Sequence, residues 1–298
     1  MLHIPVLLQE VIETLGPQKG QTIADGTLGA GGHASAIIEH IMPKGTFLGC
    51  DKDSAMLEQA KTKIEQAFGQ YKENIHCVEG SYKDMVEIAQ KHNIGHFDGV
   101  LLDLGFSSWH IDESMRGFSF QKDEPLDMRY DQNQETTAEM VIQLMPQKDL
   151  ADIIWEYGQE RFSRKIAAAI VKRRKEKSIK TTADLVEVIA SALPARYQHT
   201  RINPATKTFQ ALRIYVNDEL GGLKHFLDTI TEYISPGGKV AIISFHSLED
   251  RIVKQTFREW EKQKKAHRIT KKPIVPKDTE IKENPRSRSA KLRVIEII

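Results

Sequence analysis

From residue 22 to residue 104, short apolar runs alternate with stretches of helical periodicity. Residues 22–25 predict a strand ending in an acid, and glycine-rich punctuation leads into a helix over 34–41. Residues 46–50 predict a second strand, followed by Asp51, and 54–68 a helix. A third strand over 75–78, a helix over 82–92 and a fourth strand over 97–104 continue the pattern. This β-α-β-α rhythm is that of a parallel sheet with helices on both faces.

The rhythm then stops. No convincing strand lies between 111 and 205. Helix-start signals appear instead: Thr136-Thr137-Ala138-Glu139 and Thr181-Thr182-Ala183-Asp184 resemble capping boxes before apolar-periodic runs. Residues 160–177 predict a long helix. Another is expected from Phe209 to 234, broken by Pro236-Gly237-Gly238. A strand over 240–245, a helix over 247–260, a charged loop and a last strand over 292–298 complete the chain. The simplest partition is one sheet domain, 1–110 with 206–298, interrupted by an all-helical domain, 111–205. The insertion starts at the carboxyl end of a strand, where ligands bind in open α/β sheets.

Bulk properties constrain this picture modestly. The 298 residues suffice for about two domains of ~150 residues each. Net charge is only +1, so a nucleic-acid-binding surface has to be local. Cys50 and Cys77 sit in apolar, strand-like runs and read as buried free thiols, with no disulfide framework and no metal site expected. The first fifteen positions carry Glu10 and Glu13 and lack a basic region, unlike a signal peptide. No apolar run approaches ~20 residues, so a cytoplasmic protein without membrane contact is expected.

The chemistry concentrates in Asp25-Gly26-Thr27-Leu28-Gly29-Ala30-Gly31-Gly32-His33. Glycines between a strand and a helix let a ligand approach the backbone, although a tight βα turn alone accounts for them. Two acids add weight. Asp51 ends the second strand, where a carboxylate can accept both ribose hydroxyls of an adenosine ligand, as in NAD or S-adenosylmethionine. Asp25, directly before the glycines, favours the ligand with a cationic amino-acid end and no pyrophosphate. Thr27 occupies the position where the usual methyltransferase pattern has its first glycine. Asp103 ends the fourth strand in Leu101-Leu102-Asp103-Leu104-Gly105, pointing toward the same crevice or capping the next helix.

With these residues the chain resembles the bacterial 16S rRNA (cytosine-N4)-methyltransferases, the RsmH or MraW family. The matching stretches include His3-x-Pro5-Val6-Leu7-Leu8-x-Glu10, the glycine loop, Arg116-Gly117-Phe118-Ser119-Phe120, Pro125-Leu126-Asp127-Met128-Arg129 and Glu160-Arg161-Phe162. Pro204-Ala205-Thr206-Lys207-Thr208-Phe209, Ser244-Phe245-His246-Ser247-Leu248-Glu249-Asp250-Arg251 and Asn284-Pro285-Arg286-Ser287-Arg288-Ser289 follow in the family's order. The resemblance implies a Rossmann-like class I methyltransferase sheet and S-adenosylmethionine as cofactor. It implies Gly31, Gly32 and His33 against the methionine part, Asp51 on the ribose, Tyr82 near the adenine and Asp103 beside the cofactor. His110 falls where the family has Gln, preceded by Trp109 instead of Pro. Asn203 replaces a His and Lys207 an Arg. The implied substrate is a cytosine of the P-site region of small-subunit rRNA, within the 30S particle.

His246 is either a satisfied structural residue or a substrate-pocket residue. Asp103 is expected to draw on an amine hydrogen during transfer, with His246 next in line. Phe106, Phe118 and Phe120 either stack on a flipped cytosine or pack a core. Three basic segments, 161–175, 262–272 and 286–293, make a local RNA face reasonable, against the alternative of solvated helix faces. Two other readings stay open: a nicotinamide-dependent oxidoreductase on the same fold, and a non-catalytic RNA-binding assembly factor.

Overall fold

The computed structural model describes residues 5–194, 197 and 203–298; His3 of the amino-terminal motif lies outside the described residues. Among the described residues there are seven strands: β1 (Thr22–Asp25), β2 (Thr46–Asp51), β3 (Ile75–Glu79), β4 (Phe97–Asp103), β5 (Ile234–Ser244), β6 (Ala266–Arg268) and β7 (Lys291–Ile297). The helices are α1 (Leu8–Leu15), α2 (Gly32–Ile41), α3 (Ser54–Phe68), α4 (Met85–Lys91), α5 (Ser108–Asp112), α6 (Ala138–Leu144) and α7 (Gln147–Gly158). They continue with α8 (Ser163–Glu176), α9 (Thr182–Ala192), α10 (Thr206–Asn217), α11 (Glu219–Ile230), α12 (Ser247–Lys262) and α13 (Asp278–Glu283).

The chain divides into two compact units, Met1–Gly105 with Leu220–Ile298, and Phe106–Glu219. The first holds one sheet in the order β3-β2-β1-β4-β5-β7-β6. β1 through β5 pair in parallel, and β7 runs antiparallel to both β5 and β6. This is a Rossmann-like doubly wound sheet whose strand order reverses between β1 and β4. Alternation along the central strands supplies two cores. Val100, Leu102, Val240 and Ile242 face a cluster completed by α4, α11 and α12, including Phe226 and Phe257. Leu101, Ala241 and Ile243 face the opposite cluster, completed by α1, α2 and α3.

The second unit is helical, with a core from α6 to α10 plus Leu126 and Met128. It extends beyond the expected 111–205 at both ends. α10 belongs to it because Phe209, Ala211 and Leu212 are buried in that core. The close approach needs Gly158, where a Cβ would lie 2.5 Å from the Lys207 carbonyl oxygen.

Several local expectations are corrected. The single helix foreseen from 209 to 234 is two, because Asp218 takes a left-handed conformation (φ 48°) between α10 and α11. Pro236-Gly237-Gly238 sits inside β5, where a register shift against Phe97 and Gly99 absorbs it. The helix foreseen at 82–92 begins as a 3-10 turn, Tyr82–Asp84. Thr181 and Asp184 form the expected capping box, but Thr137 caps α6 through the Met140 amide without the reciprocal acid. Cys50 is buried; Cys77, on edge strand β3, is only half-buried.

Candidate functional site

The glycine loop turns the chain from β1 into α2 across the carboxyl end of the sheet. Gly29 and Gly31 adopt φ of +51° and +72°, conformations that L side chains resist. Gly26 is required for a different reason: a Cβ there would lie 2.5 Å from Leu102, 2.6 Å from Tyr82 and 2.7 Å from Met85. Thr27 explains its own departure from glycine. Its hydroxyl accepts from the Asp103 amide at 2.6 Å and lies 3.3 Å from Asp25 Oδ1, so it ties the ends of β1 and β4 together. Nothing in the spacing of the motif signals this bridge.

Three strand-end acids converge here. The Asp51 carboxylate accepts from the Gly29 amide at 2.7 Å and the Asp53 amide at 2.9 Å, which pins its orientation. Asp25 is 1% exposed, and burial pushes its carboxyl up to about 7; the Thr27 hydrogen bonds oppose this and the Asp51 charge adds to it. Asp103 is likewise pushed well above the usual carboxylate range, first by burial and then by the charges of Asp25 and Glu249. Its Oδ1 is buried with no hydrogen-bond partner among the described residues. Its Oδ2 lies 3.7 Å from His33 Nδ1. The other ring nitrogen of His33, Nε2, is 3.0 Å from the Val6 carbonyl.

The loop is also held from outside. A Cβ on Gly32 would collide with Pro5, so Gly32 lets the amino-terminal segment lie on the loop. The Leu7 amide donates to Glu280 of α13 at 2.8 Å, and Lys277 lies 3.4 Å from Glu10. Glu280 carries no motif and was missed by sequence reasoning.

The remaining candidates fall in different surroundings. Tyr82 stands beside Gly26, with its ring edge-on to Phe226 at 5.9 Å. His246 caps α12: Nδ1 accepts from the Glu249 amide at 3.4 Å and Nε2 lies 3.1 Å from the Glu249 carboxylate. His110 belongs to the second unit, where it forms a capping box with Ser107 and packs against Phe118 and Tyr130. Phe106 stacks on Phe118 and lies under the Arg213 guanidinium. Phe120 packs edge-on against Phe209. Asn203 accepts from the Ala205 amide at 2.9 Å and so starts the turn into α10. Lys207 donates to the Gln159 carbonyl at 3.1 Å.

A sequence profile described as the MraW methylase family matches residues 1–298. The chain belongs to the MraW methylase family. Among its curated relatives is Ribosomal RNA small subunit methyltransferase H of Desulfosudis oleivorans (strain DSM 6200 / JCM 39069 / Hxd3), 43% identical over 310 residues, covering 99% of this chain and 98% of that protein. The protein of the same name from Persephonella marina (strain DSM 14350 / EX-H1) is 44% identical over 292 residues, covering 98% of each. Among the described residues, no helix is long and apolar enough to cross a membrane.

Proposed function

We propose that the chain transfers a methyl group from S-adenosylmethionine to the exocyclic N4 amine of a cytosine in the P-site region of small-subunit rRNA. The observation that carries this reading is the cluster of Asp25, Asp51 and Asp103 around a left-handed glycine loop, in a chain whose relatives bear the name of ribosomal RNA small subunit methyltransferases.

The residues fit that cofactor. A buried Asp103 oxygen without a hydrogen-bond partner among the described residues suits a cationic ligand, because burying a charged oxygen unsatisfied is costly. Backbone amides fix the Asp51 carboxylate, which supports its proposed role on the ribose, and Tyr82 beside the loop is proposed to meet the adenine. Gly31, Gly32 and His33 would line the methionine part, and His110 is proposed as a further contact. When bound, the cofactor supplies an electrophilic methyl. The protein must then exclude water, place the weakly nucleophilic amine in line and accept its proton. Asp103 is assigned that acceptor role, and His246 stands behind it.

The second unit and the basic segments are proposed to hold the RNA, within the 30S particle in the cytoplasm. Two residues expected to contribute are occupied: Arg174 donates to the Ile142 carbonyl at 2.6 Å and Arg173 lies 3.7 Å from Glu187. Arg164, Lys165, Lys172 and Lys175 remain exposed and share an arc of about 100° on α8. Transfer of label from S-adenosylmethionine to rRNA tests the reaction class and separates it from an oxidoreductase or a non-catalytic factor. Nucleoside mass mapping of rRNA from cells lacking the protein tests the position. A methyl lost from ring carbon or ribose, with N4-methylcytidine retained, would refute the N4 assignment.

A further inference from the structure

We propose that Glu280 is a positioning residue for the glycine loop: by holding the Leu7 amide it seats Pro5 and Val6 against Gly32 and His33, and so sets how tightly the chain binds S-adenosylmethionine. This rests on the cofactor reading above and adds a residue from the far end of the chain.

The argument starts at Leu7. Its φ of 54° and ψ of 33° are left-handed, a conformation that a non-glycine residue resists. Such a backbone persists only where its surroundings over-determine it. Two contacts do so here. The Leu7 side chain is 1% exposed, in the same core as Ile37 and Ile38 of α2. Its amide lies ahead of the first turn of α1, where no helical carbonyl can accept it. It donates instead to Glu280 Oε1 at 2.8 Å. A carboxylate accepting from a backbone amide makes a charge-assisted bond, stronger than a neutral one.

The strap formed by Pro5, Val6 and Leu7 is anchored at both ends. Behind Glu280, the Ile274 amide donates to the Leu292 carbonyl and the Leu292 amide to the Ile274 carbonyl, each at 2.9 Å, so the loop leading into α13 is tied to β7. Lys277, 3.4 Å from Glu10, links the same two segments again. In front, Pro5 occupies the space that a Cβ on Gly32 would need. The Val6 carbonyl accepts from His33 Nε2 at 3.0 Å. Three successive residues thus convert the place of Glu280 into the place of the first turn of α2. Gly32 and His33 in that turn are the residues proposed to meet the methionine part, so Glu280 acts through the strap and not on the ligand. Where the strap is seated only part of the time, the observed affinity falls by the seated fraction. Once a ligand has bound and ordered the loop, the chemical step is spared.

Glu280→Ala and Glu280→Gln in the full chain separate these roles. Glutamine keeps an oxygen that can accept from Leu7; alanine does not. Calorimetry with S-adenosylmethionine and with S-adenosylhomocysteine is expected to show about tenfold weaker binding of both to Glu280→Ala, with most of the loss recovered in Glu280→Gln. In methyl transfer to rRNA, KM for the cofactor should rise by a similar factor while kcat stays within about twofold. Without ligand, hydrogen exchange in the peptide carrying Gly31, Gly32 and His33 should quicken in Glu280→Ala, and exchange in β4 should stay as in the native chain. Unchanged affinity in a folded Glu280→Ala protein would overturn the proposal. So would a loss that glutamine does not recover, or exchange quickened equally in the loop and in β4, since either makes Glu280 a general support of the fold. Failure of the native chain to bind either ligand would instead remove the cofactor reading and take this inference with it.

Discussion

At the scale of single residues, three strand-end acids share one type but differ in surroundings, and each predicts a different measurement. Asp51 is oriented by two amides, so its contribution to the proposed site should be to affinity. Asp51→Ala is expected to weaken S-adenosylmethionine binding by roughly tenfold to a thousandfold; unchanged affinity by calorimetry in a folded variant would dismiss the assignment. Asp103→Asn keeps the shape and removes the charge. Methyl transfer should fall by ~10²-fold or more, with affinity falling much less; equal losses would leave Asp103 as a ligand contact only. Asp25 is expected to act on stability. Its carboxyl titrates near 7 in the folded chain, above its ordinary 3.8, so folding increasingly opposes ionisation as pH rises between those values. The cost is absent below about 4, full above about 7 and at most roughly 4 kcal/mol. Asp25→Asn, which cannot ionise, should melt above the native chain at pH 8, with the advantage vanishing toward pH 4. Melting curves without ligand at the two pH values decide it.

At the scale of elements, the strands were readable because each is a short apolar run closed by an acid or a glycine, and β1 to β4 lie where the pattern put them. The small edge strand β6 and the helices α1, α5 and α13 were not, since short segments carry too few periods to register. The break at Asp218 was hidden for another reason: a non-glycine residue takes the left-handed conformation that ends α10, so no glycine marks it. At the site, the acids and glycines could be read from the chain. The Thr27 bridge, the His33 contact and Glu280 could not, because each joins residues distant in sequence. One such cross-element tie is open to test. Asp250 of α12 accepts from Arg293 of β7 at 2.8 Å and lies 3.4 Å from Lys291. Burial opposes its ionisation, but the bond and charge of Arg293, joined by Lys291, hold its carboxyl below the usual range. Asp250→Asn is expected to destabilise the first unit by about 1–3 kcal/mol, with the deficit shrinking as pH falls below 4. Denaturant unfolding at pH 7 and pH 3.5 measures both; a deficit independent of pH would mean the pair is packing rather than charge.

At the scale of the whole molecule, a net charge of +1 hides an uneven distribution. The exposed arc on α8 is a basic surface of the second unit that can meet a polyanion. Arg164, Lys172 and Lys175 replaced together by Ala should weaken RNA binding and reduce the slope of log affinity against log salt by up to about three, leaving S-adenosylmethionine affinity unchanged. A filter-binding series over salt gives the slope, and an unaltered one would reduce the arc to a solvated face. Folding at this scale is just as uneven. The first unit is split in sequence by the second, so the ribosome makes β1 to β4, then all of residues 106–219, before β5 and β7 exist to complete the sheet. At ~5–20 residues per second that interval is on the order of ten seconds. During it the edge of β4 that will receive β5 stands open and the Leu7 amide has no Glu280 to meet. A nascent chain in this window carries the glycine loop and all three acids yet lacks the clasp that seats Pro5 and Val6 over them. Competence would therefore arrive late and abruptly during synthesis, and the open β4 edge makes that same window the period of greatest exposure to wrong pairing and to chaperones.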